Sequence, residues 1–256
     1  FRSRAALKRQ PRRILLAVGG SATVDGGTGA AAALGWRFLD ADDRPLEPGG
    51  GSLDRLHRIV PPSRLELPPI EVLCDVNNPL LGPQGAASVF GPQKGAGPDE
   101  VARLERGLAR LAHLAWEQLG TDMDIPGGGA AGGLAGGAAA FMGASLVPGI
   151  SRIVAFSDLD SDLRDADWVV TGEGSLDSQS LRGKVVSGVI HAAKRRGVRV
   201  AVIAGRICLS ELERREAGID QAISLCGPGD SVEESMTGAR ELIKQRASEL
   251  ATSLDE

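Results

Sequence analysis

Asp167-Trp168-Val169-Val170-Thr171-Gly172-Glu173-Gly174 is a short apolar run that stops in glycine, and Val198-Arg199-Val200-Ala201-Val202-Ile203-Ala204-Gly205 repeats the form. Between the two, residues 185–196 have the spacing of a helix, with Gly197 as its stop signal. Residues 209–217 read as a short helix closed by Gly218, residues 219–225 as a third strand, and residues 231–250 as a long amphipathic helix capped by Asp230 or Ser231. Strand, helix, strand, helix, strand, helix is the order of a parallel sheet with right-handed crossovers, since a tight turn cannot join parallel strands. The class is therefore α/β. Three strands make only half of a doubly wound sheet, and the partner strands are expected in sequence preceding this chain.

The N-terminal part is less regular. Strands are expected at 14–18, 36–39 and 71–75, and helices at 29–34, 99–119 and 130–142. Asp40-Ala41-Asp42-Asp43-Arg44-Pro45 supplies a turn after the second strand. The Ala-Gly stretch 127–143 has low complexity, but Leu134, Phe141 and Met142 give it an apolar face and predict a close-packed helix. The acidic, polar stretch 157–165 places a domain boundary so that residues 1–163 form one domain and 164–256 belong to another.

Composition excludes several functions. The 256 residues are 42% hydrophobic, enough to bury a substantial core. Glycine, at 35 residues, sits at the ends of apolar runs rather than in one tract, which argues for tight loops and against disorder. The net charge is −4 and no basic stripe appears, so nucleic acid is not an expected partner. No apolar run approaches the ~20 residues that a membrane helix needs. Cys74, Cys208 and Cys226 lack metal-ligand spacing and read as buried small hydrophobes of a reducing, cytoplasmic compartment. Residues 1–13 carry six basic and no acidic side chains and read as a basic helix leading into the first strand. The sequence does not address the oligomeric state.

Standard signatures fail. Gly183-Lys184 is followed by Val185, and Ser178 stands where a Walker A loop needs glycine. Gly127-x-Gly129-x-x-Gly132 matches the dinucleotide string, yet no strand precedes it. Ser21 lacks the second glycine of a hydrolase elbow. Three polar, glycine-bracketed loops remain. The first, Gly19-Gly20-Ser21-Ala22-Thr23-Val24-Asp25-Gly26-Gly27, follows an apolar run and precedes a helix whose unpaired N–H groups would suit an anion. The second runs from Cys74-Asp75-Val76-Asn77-Asn78 to Gly82 and continues into Phe90-Gly91-Pro92-Gln93-Lys94-Gly95. The third runs from Thr171 to Gln179 and is closed by Gly183-Lys184.

Ligands of open α/β sheets collect at the carboxyl ends of strands. Phosphoryl transfer needs what these loops offer: backbone N–H and lysine for phosphate oxygens, carboxylates for Mg²⁺, and a base for the accepting hydroxyl. Blander roles stand beside these. Asp25 and Asp177 are equally suited to capping their own turns, and Lys94 and Lys184 to solvated surface positions. Glu173, between two glycines, has no packing role that the sequence suggests.

At these residues the sequence resembles the bacterial glycerate kinase family, which phosphorylates D-glycerate with ATP. The resemblance rests on G-G-S-A-T-V-D-G-G-T-G followed by A-L-G-W-R-F-L-D, on C-D-V-N-N-P-L-L-G-P-Q-G-A and F-G-P-Q-K-G-A, and on P-G-G-G-A-A-G-G-L and T-G-E-G-S-L-D-S-Q-S-L-R-G-K. It implies two α/β domains, a flavodoxin-like doubly wound sheet formed by both chain ends and a second domain inserted in it. Residues 164–256 would then be the C-terminal half of the first, and residues 1–163 most of the second, with the loops around a cleft. Family members carry a further segment in front, opening on a strand and a P-D-S-F-K-G-S-like loop, which this sequence lacks; it therefore reads as a piece of a longer chain.

The implied activity is ATP- and Mg²⁺-dependent phosphorylation of D-glycerate to 2-phosphoglycerate, with the 3-phosphate as the alternative product. A small-anion-binding module without turnover is the rival class. On chemical grounds Asp177 is the candidate general base or metal-orienting carboxylate, and Glu173 and Asp25 are candidate ligands of the metal or the substrate hydroxyl. Lys184 and Lys94 are candidates to neutralise phosphate or the glycerate carboxylate. Ser21, Asn77 and Asn78 are candidate hydrogen-bonding partners of the substrate. Gly19, Gly20, Asp75, Thr171, Gly172 and Gly174 complete the candidate binding loops.

Overall fold

A computed structural model describes residues 9–181, 185–227 and 236–254. They divide into two compact units, one ending at Gly149 and one beginning at Ile150.

The first unit holds a three-stranded parallel sheet, with β1 (Ile14–Ala17) and β5 (Ser145–Val147) on either side of β4 (Ile70–Leu73). The central β4 carries the fully buried Val72, as expected of a parallel strand flanked on both sides. An antiparallel pair, β2 (Arg37–Leu39) and β3 (Arg58–Val60), stands apart from that sheet. The turn after β2 forms where expected. Asp40 Oδ1 accepts from the Asp42 and Arg44 N–H groups, each at 2.9 Å, and these bonds, Arg44's first, hold its carboxyl below the usual range. Neither β3 nor β5 is expected from the sequence, because three residues are too few to show a period.

Helices α1 (Thr28–Ala33), α2 (Ala86–Phe90), α3 (Pro98–Leu119) and α4 (Leu134–Met142) cover these strands. The long α3 follows its local code. Pro98 opens it, Glu100 accepts from the Gly97 N–H at 2.8 Å, and Gly120 ends it in the left-handed region. Leu108, Leu111, Leu114 and Ala115 form its buried stripe, packed with Leu53, Leu80 and Met123 in the main core of this unit. Trp36, tilted by 58°, and Phe38, edge-on at 78°, pack against Phe141 with ring centroids 5.2 and 5.4 Å away. Helix α4 starts at Leu134, later than the expected 130, because Ala131, Gly132 and Gly133 all have positive φ.

The second unit holds the parallel sheet that the sequence predicts, in the order β6 (Trp168–Leu176), β7 (Arg199–Ile207), β8 (Gln221–Ser224). Helices α5 (Gly149–Phe156) and α6 (Leu159–Asp162) lead into it. Helices α7 (Val185–Arg196), α8 (Glu211–Ala217) and α9 (Ala239–Leu254) follow the three strands in turn. Ser210 and Glu213 cap α8 reciprocally, and Gly218 closes it. The start expected for the last helix, 231–235, lies outside the described residues.

Two expectations change. Leu163, with Val154 and Leu159 beside it, packs into the second unit's core, so the stretch expected to precede the boundary at 163/164 belongs to that unit. Thr171, Gly172, Glu173 and Gly174, expected in a loop, instead continue β6 as a strand. Their partners on β7 include Val202, Ile203 and Ala204, and the ladder reaches Leu176 opposite Ile207. Glycine serves the ladder here, since a Cβ at Gly205 would lie 2.4 Å from the Gly174 carbonyl oxygen.

The cysteines are unpaired. Cys74 and Cys226 are half-buried and Cys208 is exposed, so none is the fully buried residue expected, although burial raises the Cys74 thiol pKa. No described helix is long and apolar enough to cross a membrane.

Candidate functional site

In the first unit, the loop 19–27 leaves β1 and enters α1. Asp25 is 8% exposed and accepts from the Gly27 N–H at 3.0 Å through Oδ1 and from the Gly29 N–H at 3.2 Å through Oδ2. The Thr23 hydroxyl adds a longer contact of 3.4 Å to Oδ1. Two of the backbone donors at the start of α1 are thus taken by the chain's own carboxylate. Asp25 thus fills, at the start of the six-residue α1, the turn-capping role that the sequence offers beside that of a ligand.

What the loop does present is Lys94. Its ammonium donates to Ser21 Oγ at 2.8 Å and to the Thr23 carbonyl at 2.7 Å, joining residues far apart in the chain. Lys94 is half-buried, not the solvated surface lysine that was the alternative. Burial pushes its pKa down, and the Asp25 charge acts in the opposite direction. Among the described residues no carboxylate forms an ion pair with it. Gly19 and Gly20 lie exposed beside Ser21.

The segment 127–133 carries none of the residues that the sequence marks as candidates, and it organises both N-terminal loops. The Gly26 N–H donates to the Gly132 carbonyl at 3.0 Å, and the Gly129 N–H donates to the Asn78 carbonyl at 3.0 Å. At Gly132, φ is +71° and a Cβ would lie 2.1 Å from the Thr23 carbonyl oxygen and 3.0 Å from Lys94 Nζ. Only glycine allows the left-handed turn and the ammonium to share that space. The sequence signal was the glycine string itself, which reads as a failed dinucleotide motif.

In the second loop the Asn78 side chain donates to the Gln84 carbonyl at 2.8 Å, which fixes its own loop. The Gly82 N–H is bonded to Glu105 at 2.6 Å and the Leu81 N–H to Asp124 at 3.1 Å, further anchors that the sequence did not suggest. Asp75 Oδ1 accepts from the Gly149 N–H at 2.8 Å, so it holds the backbone at the end of the first unit. Asn77 is exposed. The structure thus gathers Gly19, Gly20, Ser21, Asp25 and Lys94 around one loop, and Asp75, Asn77 and Asn78 in its neighbour.

The second unit carries Thr171, Gly172, Glu173 and Gly174 on β6, with Asp177 just beyond. Asp177 Oδ1 accepts from the Gln179 N–H at 2.8 Å and the Ser180 N–H at 3.2 Å, a capped turn backed by the fully buried Ser180. Among the described residues, buried Glu173 Oε1 has no hydrogen-bond partner, a costly state that calls for one. A cavity of about 810 Å³ opens beside this strand, lined by Val170, Ile203, Leu225 and Ile243 together with Glu173 and Arg206. Lys184 lies outside the described residues. Among the described residues no three His, Cys, Asp or Glu side chains come together as a metal cluster.

The fold and these loops define an α/β protein with glycine-bracketed strand ends and an ammonium that makes no ion pair among the described residues, the kind of site that holds a small anion. The glycerate kinase family model matches residues 3–255, and the chain belongs to that family. It is 42% identical over 251 residues to a glycerate kinase of Halalkalibacterium halodurans, covering 96% of this chain and 66% of that protein. It is 38% identical over 254 residues to the glycerate 2-kinase of Escherichia coli, covering 97% of this chain and again 66% of the relative. A crystal structure from Salmonella typhimurium, described as a candidate glycerate kinase 2, superposes with a TM-score of 0.79 at 41% identity and covers 98% of this chain and 67% of that one. The chain spans about two thirds of the length of these relatives.

Proposed function

We propose that the protein transfers the γ-phosphoryl group of ATP to D-glycerate and yields 2-phosphoglycerate. The carrying observation is the Lys94 ammonium, held by Ser21 and Thr23 and available to an anionic substrate, in a chain of the glycerate kinase family. The 2-position is favoured by the name of the Escherichia coli relative, a glycerate 2-kinase. In the same reading, the second unit, which holds residues 164–256, is the C-terminal half of a flavodoxin-like domain, and the first unit is most of an inserted one. The parallel order β6-β7-β8 supports the first of these.

The second unit supplies features suited to the nucleotide. Its cavity has the size of a ligand pocket and an apolar lining fit for a nucleoside. Mg²⁺ keeps most of its waters and takes only one or two protein carboxylates, so the orphaned oxygen of Glu173 fits it. Bound there, the ion would neutralise charge on the transferring phosphoryl group. Asp25 fits it less well, since backbone donors occupy both of its oxygens. Asp177 remains the proposed base: the hydroxyl oxygen of glycerate forms the new O–P bond, the β–γ bond breaks, and Asp177 receives the hydroxyl proton. Lys184 is proposed to neutralise phosphate.

The full-length protein should release ADP only when D-glycerate, ATP and Mg²⁺ are all present. The product should be dehydrated directly by enolase, whereas a 3-phosphate would first need a mutase. Absence of glycerate-dependent ADP defeats the kinase reading and leaves an anion-binding module. Asp177→Asn keeps an oxygen for the turn and should lower turnover at least ~10²-fold. Near-normal turnover removes Asp177 as the base.

A further inference from the structure

Ser21 Oγ accepts from Lys94, which leaves the Ser21 proton to be donated elsewhere. Among the described residues nothing accepts it. Lys94 has three ammonium protons and uses two, one on Ser21 and one on the Thr23 carbonyl. Two unused donors therefore sit on adjacent atoms 2.8 Å apart. A hydroxyl that accepts from a cation is polarised and donates more strongly in turn.

The surroundings select among anions. Phosphate sites are built from several backbone N–H groups at a loop or helix start. Here two of the donors at the start of α1, the Gly27 and Gly29 N–H groups, are occupied by Asp25. The buried Asp25 carboxylate also offsets the Lys94 charge, so the site attracts a multiply charged phosphate chain poorly. It remains able to recognise a singly charged group through two directed donors.

We propose that Ser21 and Lys94 together read the carboxylate of the organic-acid substrate, one oxygen taking the Ser21 proton and the other the third Lys94 proton. Gly132 admits the ammonium that orients Ser21 and is thereby a positioning residue. This inference rests on the kinase reading for the identity of the acid, and it separates the acid's carboxylate from the phosphates of ATP.

Titration calorimetry on the full-length protein tests it with three probes: D-glycerate, its uncharged amide glyceramide, and MgATP. Ser21→Ala should weaken D-glycerate roughly 10- to 100-fold, the scale of a lost hydrogen bond to a charged group. It should leave glyceramide and MgATP within a few-fold of wild type, while Ser21→Thr, which keeps the hydroxyl, restores D-glycerate binding. In turnover, KM for D-glycerate should rise with kcat nearly unchanged. Equal weakening of D-glycerate and glyceramide, or weakening of MgATP instead, overturns the assignment. Wild-type protein that binds no D-glycerate overturns it too. Binding with this pattern but without ADP release upholds the carboxylate site and defeats only the kinase reading.

Discussion

Gly132→Val should destabilise the first unit by about 2–5 kcal/mol and, on the carboxylate site proposed above, abolish D-glycerate binding. Two costs add. A β-branched residue at φ +71° is forced into the left-handed region, at roughly 1–2 kcal/mol or more. Its Cβ would also overlap the Thr23 carbonyl oxygen and crowd Lys94 Nζ, and overpacking of this kind costs about 1–3 kcal/mol. The loop must yield, and the Gly26–Gly132 hydrogen bond goes with it. Against a domain stability of about 5–15 kcal/mol this is a large fraction. Calorimetry should show the first unit's transition lowered by roughly 10 °C. An unchanged transition together with unchanged glycerate affinity would show that the segment is looser than its backbone contacts imply.

Asp25→Ala should cost about 2–4 kcal/mol, since it leaves the Gly27 and Gly29 N–H groups without their acceptor in a largely buried site. Asp25→Asn should cost less. Its amide oxygen still accepts one of the two N–H groups, while its NH₂ faces the other, donor against donor. Denaturant unfolding of both variants ranks these losses. On the proposed kinase reading, the Mg²⁺ dependence of turnover gives the discriminating readout: a cap changes stability and leaves that dependence alone. If stability holds while the Mg²⁺ requirement rises, Asp25 faces the metal and the capping assignment is wrong.

The sequence made the second sheet legible because its strands are apolar runs punctuated by glycine and its helices carry clear stop signals. It also led to the loop 19–27 and to Lys94. It misplaced Thr171 to Gly174, because glycine marks a loop end and a close strand approach alike, and only the partner strand distinguishes them. Asp25 is ambiguous in sequence for a related reason. The same carboxylate that attracts attention as a ligand can satisfy the helix start on its own, and pattern cannot separate those outcomes. The segment 127–133 was hardest, since its contribution lies in absent side chains and in backbone bonds to residues far away in sequence.

The placement of β5 bears on how the first unit is made. β4 pairs on one side with β1, whose residues come early in the chain, and on the other with Ser145–Val147, which come near the unit's end. During synthesis the first two strands can meet while β5 is still inside the ribosome. The edge of β4 then stays open for the whole time taken to translate residues 74–144, a matter of seconds at about 5–20 residues per second. Those residues include the Lys94 loop and the 127–133 segment that orders it. The nascent unit therefore waits with an apolar strand edge exposed, a state open to mispairing with other chains. Chaperone demand during expression should accordingly fall on this unit, and a ribosome stalled just short of residue 145 should carry it in a protease-sensitive form.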